Sequence, residues 1–154
     1  MSQAEDRIKE LGFALSTPPP PQGNYLGAYR TGNLVFLSGV GPRKPDGDLV
    51  LGKVGRDLTV EQGYEAARYC ALNMLVNLKT VIGDLDKVKH FVKLLGMVNA
   101  DPEFGQTPAV MNGCSDLLVE IFGDRGRHAR SAVGMSALPN GMAVEIEGIV
   151  EVED

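Results

Sequence analysis

The sequence predicts an α+β fold, one mixed sheet with two long helices packed on one of its faces, and three observations predict it. Apolar residues recur at helical spacing in two long stretches, Thr59 to Ile82 and Thr107 to Ile121. Between and after them lie apolar or alternating runs of strand length, Asn33 to Val40, Val88 to Asn99 and Met142 onward. The resulting order of strand, hairpin, helix, strand, helix, strand, strand reads as two strand-helix-strand units sharing one sheet. A chain of 154 residues is long enough to bury a core without disulfides or metals, so 1–154 is read as a single domain.

Taken in order, Gln3 to Glu10 carries a short helical pattern, and the four prolines Pro18 to Pro21 impose extended polyproline geometry that ends any regular element. Residues 1–24 are therefore a lead-in arm. NLVFLSGV, Asn33 to Val40, is apolar throughout and bounded by Gly32 and Gly41-Pro42, which suits a strand buried on both faces. Pro45-Asp46-Gly47 then predicts a turn and a return segment near Leu49 to Gly52, a hairpin with the preceding strand. In the first long helix Val60, Tyr64, Ala67, Ala71, Met74, Leu78 and Val81 share a stripe, Thr59 with Gln62 forms a capping box, and Gly83 stops the last turn. The second helix opens at Thr107-Pro108, carries the stripe Met111, Cys114, Leu118 and Ile121, and closes at Gly123.

Composition narrows the function. The chain has 15 Lys and Arg against 20 Asp and Glu, and the basic residues are scattered, which argues against a nucleic-acid partner. No apolar run reaches bilayer length and the N-terminus lacks a signal-type apolar block, so the expectation is a cytoplasmic protein without a membrane partner. Cys70 and Cys114 fall in apolar helical patterns and read as reduced core thiols, and His90 and His128 belong to no ligand cluster. No metal and no cofactor are expected.

The segment Arg130 to Asp154, RSAVGMSALPNGMAVEIEGIVEVED, reads as two alternating strands joined by a tight turn. From Met142 onward Val144, Ile146, Val150 and Val152 share the core face, while Ala143, Glu145, Glu147, Ile149 and Glu151 share the other. Carboxylates mixed with Ile149 on that second face imply cover by a cleft or a neighbouring subunit. With both helices on one side, the other sheet face lies bare, and closed self-association is the economical remedy.

The motifs NLVFLSGVGP (Asn33 to Pro42), DLTVEQ (Asp57 to Gln62) and HARSAVGMSALPNGMAVEIEGI (His128 to Ile149) resemble those of the reactive intermediate deaminases, the RidA or YjgF family once labelled L-PSP endoribonucleases. The resemblance runs from about Tyr25 to Val152, and the NGCSDLLVEIFGDRGRHARSAVG stretch resembles a less characterised branch more than the best-studied members. It implies a chorismate-mutase-like homotrimer with sites in clefts between subunits. It further implies a cofactor-free deaminase that hydrolyses enamine or imine intermediates such as 2-aminoacrylate-like acids to 2-keto acids and ammonia. Arg130 matches the family arginine that grips a substrate carboxylate, as a planar guanidinium fork can. Glu145 matches the family glutamate that positions or activates water, for which desolvation in an apolar strand raises the pKa usefully. For Glu145 the alternative is a structural ion pair, and Glu147 reads as structural or rim. Tyr25, Ser38 and Asn112 match positions that line the substrate pocket.

The departures are Ala132, where the deaminases carry Cys or Ser; Asn24, where they carry Pro; and Gly27 and Val40, where they carry Gln. They thin the polar lining of the pocket and keep two further readings open: a non-catalytic small-carboxylate binder, and, on the older family label alone, an endoribonuclease.

Overall fold

The computed structural model describes residues 2–154. The strands are β1 (Ala28–Thr31), β2 (Leu34–Val40), β3 (Val88–Asn99), β4 (Ala129–Met135) and β5 (Val144–Val152), and the helices α1 (Gln3–Glu10), α2 (Val60–Ile82) and α3 (Thr107–Phe122). They build an α+β fold around one five-stranded mixed sheet in the order β1-β2-β5-β3-β4, with β3 and β4 parallel and the other neighbours antiparallel.

The helices form where the sequence places them, and the local reasons are visible. Thr59 and Gln62 cap α2 reciprocally, and Gly83 ends it at φ +79°, a conformation that favours glycine. Ala67, Ala71, Met74 and Leu78 of α2, with Met111, Cys114 and Leu118 of α3, are fully buried against Val35, Leu94, Val98, Ile146 and Val150 of the sheet. Both cysteines are free and buried. Burial pushes the Cys70 thiol well above its ordinary range and Cys114 up to about 12, so both stay protonated and inert. Helix α1 docks through Ala4 and Ile8, and the Asp86 carboxylate accepts from the N–H groups of Gln3 and Ala4.

The sheet departs from the sequence reading in three places, two of pairing and one of burial. The partner of β2 is not the Leu49 to Gly52 segment but β1, which the sequence reading passed over; the two-residue turn Gly32-Asn33 joins them, with Gly32 at φ +58°. The turn at Pro45-Asp46-Gly47 does form, but it closes only the single bridge Arg43 to Leu49, and Leu51 bridges Met142 instead. Pro42 lacks the N–H that a continuing ladder needs. Strands β4 and β5 are not neighbours either, because the parallel crossover through α3 seats β4 on one edge of β3 and β5 takes the other edge.

The third departure concerns β2, which in this chain is buried on one face only. Val35 and Leu37 are buried, while Phe36 is 44% exposed and continues a cross-strand row through Tyr29, 61% exposed, and Ile149. Val92 and Val133 add to the same uncovered apolar face.

The helices approach so closely that a Cβ on Gly113 of α3 would collide with the Tyr64 carbonyl oxygen of α2. Gly113→Ala is therefore expected to destabilise the fold by about 1–3 kcal/mol, the usual cost of overpacking against backbone, measured as a lower urea midpoint with an unchanged m-value.

Candidate functional site

An extra residue in β2 opens the sheet where the site forms. Leu37 pairs with Gly148 and Val40 with Ile146, so both Ser38 and Gly39 stand opposite Glu147 in a β-bulge. The Ser38 N–H donates to the Gly27 carbonyl at 3.0 Å and its hydroxyl to the Leu26 carbonyl, tying the segment after the arm to the bulge. A Cβ at Gly39 would strike the Glu145 carboxylate, so only a glycine here lets that carboxylate lie against β2.

Beside the bulge lies a cavity of about 240 Å³ whose lining includes Tyr25, Ser38, Asn73, Asn77, Met142 and Glu145, with Pro18 to Pro21 of the arm as one wall. The Asn73 amide donates to the Gly41 and Arg43 carbonyls at 3.0 and 3.1 Å and so fastens the following loop to α2. Glu145 is half-buried, and among the described residues its carboxylate has neither a hydrogen-bond donor nor an ion-pair partner. Burial, and then the neighbouring Glu147 charge, raise its pKa above the ordinary carboxylate value. A carboxyl of this kind, facing a cavity, can take and return a proton closer to neutrality than an exposed one.

Arg130 stands elsewhere. It pairs with Leu94 on β3 and turns to the helical face, where Nη1 donates to Ser115 Oγ at 3.0 Å and Nη2 to the Pro108 carbonyl at 3.3 Å. Asn112 lies on α3 between these two partners, three residues from Ser115 and four from Pro108, on the same exposed side. Glu145 pairs with Met97 and shares the opposite, uncovered face. Two strand spacings across and three residues along separate the two backbones by about 10 Å in each direction. A single chain therefore groups Tyr25 and Ser38 with Glu145, and groups Asn112 with Arg130, but does not bring the two sets to one ligand.

Several residues here were not singled out from sequence. Asn73 and Asn77, four apart inside the otherwise apolar stretch Cys70 to Leu78, were the available signal for a polar opening. Ser115, His128 and Gly39 gave none, since a bulge and a hydrogen-bonded side-chain chain depend on tertiary placement. At Ala132 the methyl packs against the core and the carbonyl accepts from Thr107 Oγ1 at 3.0 Å.

Residues 5–145 match the family model described as "YjgF/chorismate_mutase-like, putative endoribonuclease". The chain belongs to this YjgF family. It is 40% identical over 148 residues to Protein TCP17 of Trypanosoma cruzi, covering 96% of this chain and 92% of that one. It is 30% identical over 149 residues to a 2-iminobutanoate/2-iminopropanoate deaminase of Dermatophagoides farinae, covering 90% of this chain and 95% of that one. Among solved structures, the Agrobacterium tumefaciens protein Atu1372 superposes with a TM-score of 0.92 at 42% identity, covering 98% of this chain and 93% of that one. The likeness to Atu1372 thus takes in nearly all of the described chain. No helix in the described residues is long and apolar enough to cross a membrane.

The raised Glu145 pKa has a stability signature. A carboxyl whose folded pKa lies above its unfolded one penalises the fold once ionised, and the penalty disappears as pH falls through the folded value toward the unfolded one. Glu145→Gln is therefore expected to raise the melting temperature at pH 7. Wild type and variant should converge near pH 4, and a variant less stable than wild type at pH 7 would contradict the assignment.

Proposed function

We propose that this YjgF-family chain is a cofactor-free hydrolytic deaminase of reactive enamine and imine acids, 2-aminoacrylate-like compounds, yielding 2-keto acids and ammonia in the cytoplasm. The observation that carries the reading is Glu145, an unpartnered carboxylate with a raised pKa facing a cavity of about 240 Å³. The deaminase name of the Dermatophagoides relative supports the reaction class.

In this reading the site is completed between subunits of a homotrimer, with Arg130 and Asn112 of one chain facing Tyr25, Ser38 and Glu145 of the next. The uncovered apolar face, with Tyr29, Phe36, Val92 and Val133 exposed, supports the association. Arg130 holds the ligand carboxylate bidentately and sets C2 of the imine over the cavity. Water adds to C2 of the N-protonated imine as Glu145 takes one water proton, giving a neutral tetrahedral carbinolamine; Glu145 returns that proton to the amine, the C–N bond breaks and ammonia leaves, and the carboxylate takes up the hydroxyl proton as the oxygen becomes the carbonyl of the 2-keto acid. An enamine first takes a proton at C3 to become the imine. Neither step requires a nucleophilic side chain, which is why Ala132 is compatible with it.

Ala132 and Val40, apolar where the resemblance expects polar groups, favour a second reading, a small-carboxylate binder without turnover. Endoribonuclease is the weaker alternative; His90 and His128 are both absent from the cavity lining.

The test couples the protein to a serine or threonine dehydratase and follows ammonia and keto-acid release above the uncatalysed rate. Glu145→Gln is expected to lower kcat at least 10²-fold, the usual worth of a positioned proton-transfer group, and Arg130→Ala to raise KM. Keto-acid affinity without turnover would replace the enzyme with the binder. By light scattering the particle should weigh three times the 16.5 kDa chain, and a monomer at micromolar concentration would remove the inter-subunit site.

A further inference from the structure

Beside Arg130 lies a hydrogen-bonded chain that the proposed reaction does not use. His128 Nδ1 is 2.7 Å from the Gly126 carbonyl and its Nε2 is 2.9 Å from Ser115 Oγ, which is 3.0 Å from Arg130 Nη1. For a neutral ring, elementary donor and acceptor rules order the protons of this chain. A carbonyl only accepts, so Nδ1 carries the hydrogen. In a neutral imidazole Nε2 is then an acceptor, so the Ser115 hydroxyl donates to it. The serine oxygen is thereby turned toward the guanidinium, which can only donate.

We infer that Ser115 and neutral His128 are positioning residues for Arg130, holding its guanidinium in the orientation that receives the ligand's carboxylate. The inference rests on the reading of Arg130 as the carboxylate grip. Its second anchor is the Pro108 carbonyl at 3.3 Å. These two acceptors take one N–H from each terminal nitrogen, leaving the other two and Nε–H for a bidentate ligand. Both acceptors are uncharged, so the guanidinium is oriented without being neutralised. An aspartate at either place would have fixed it equally well and cancelled the charge the ligand needs.

The arrangement also makes the grip dependent on the charge of His128. Protonation puts a donor on Nε2, so Ser115 can no longer donate there, and sets a second cation one hydroxyl away from Arg130. The charged and titratable groups acting on the ring are Arg130 on β4 and His90 on β3, while α3 contributes the uncharged Ser115. Burial first, then Arg130 and His90, push His128 below the usual histidine range, against the pull of the Gly126 carbonyl. The ring is neutral at physiological pH. The orientation should be lost as pH falls below 6.5, the ordinary histidine value. Protonation of Glu145 would remove a negative charge from the site and act in the opposite direction, so the two effects separate by sign.

The experiment is calorimetric affinity for 2-oxobutanoate, a keto acid standing for the product, in the full-length protein between pH 5.5 and 8. Ser115→Ala should weaken binding about tenfold at pH 7.5, the usual worth of one hydrogen bond to a charged group, and Ser115→Thr, which keeps the hydroxyl, should restore it. His128→Gln offers a non-titrating acceptor at the Nε2 position. It should lack the wild-type loss of affinity at acid pH, a difference that a merely structural histidine would not produce. Wild-type affinity in Ser115→Ala, or superimposed pH profiles for wild type and His128→Gln, would overturn the inference. Arg130→Ala separates the two levels. Loss of binding there with intact binding in Ser115→Ala sinks only the positioning role, whereas unchanged binding in Arg130→Ala sinks the carboxylate grip and this inference with it.

Discussion

The fold depends on the insertion of the last strand into the middle of the sheet. β5 pairs along one edge with β2 and along the other with β3, so until it is seated the chain consists of the β1-β2 hairpin and the β3-α3-β4 unit with unpaired edges facing each other. Its Val144, Ile146, Val150 and Val152 then supply the centre of the core beneath α2. Contacts this distant in sequence are gained only after the loop entropy has been lost, so the sheet is complete only once β5 is seated.

The same strand puts a carboxylate where a stability optimum would not. Strict alternation turns Glu145 away from the helices, and the bulge at Ser38 and Gly39 leaves it beside a cavity instead of against a paired backbone. Among the described residues the carboxylate has no donor, and burial with the Glu147 charge disfavours its ionised form. A fold selected for stability alone would place glutamine or an apolar residue here. Retaining an acid in such surroundings is characteristic of sites where a strained protonation state does chemistry.

Much of the architecture was legible because its signals are local. The α2 capping box, the glycine stops, the stripes of α2 and α3, and the period-two pattern of β5 all follow from spacing within one segment. Pairing was less legible. Nothing in RSAVGM or AVEIEGI states that β3 will stand between them, since that follows from which sheet edges remain free after the α3 crossover. β1 was hidden because its four residues, Ala28 to Thr31, are too short to show alternation. At the site, the residue types of Arg130 and Glu145 were readable, but their opposite faces follow from registers against Leu94 and Met97 that no single segment encodes.

That separation bears on what the two groups are for. Neither Arg130 nor Glu145 enters an ion pair among the described residues, although the surface carries several, such as Lys79 with Glu5 at 2.7 Å. The guanidinium is held by a hydroxyl and a carbonyl, and the carboxylate rests beside a glycine and an asparagine-lined cavity. Had the two faced each other in one chain, they would have closed into a salt bridge and left no charge for a ligand. Placed on opposite faces, each keeps its charge or its proton available. In the proposed deaminase, a small anionic imine lies between this arginine and the acid of a neighbouring copy of the chain.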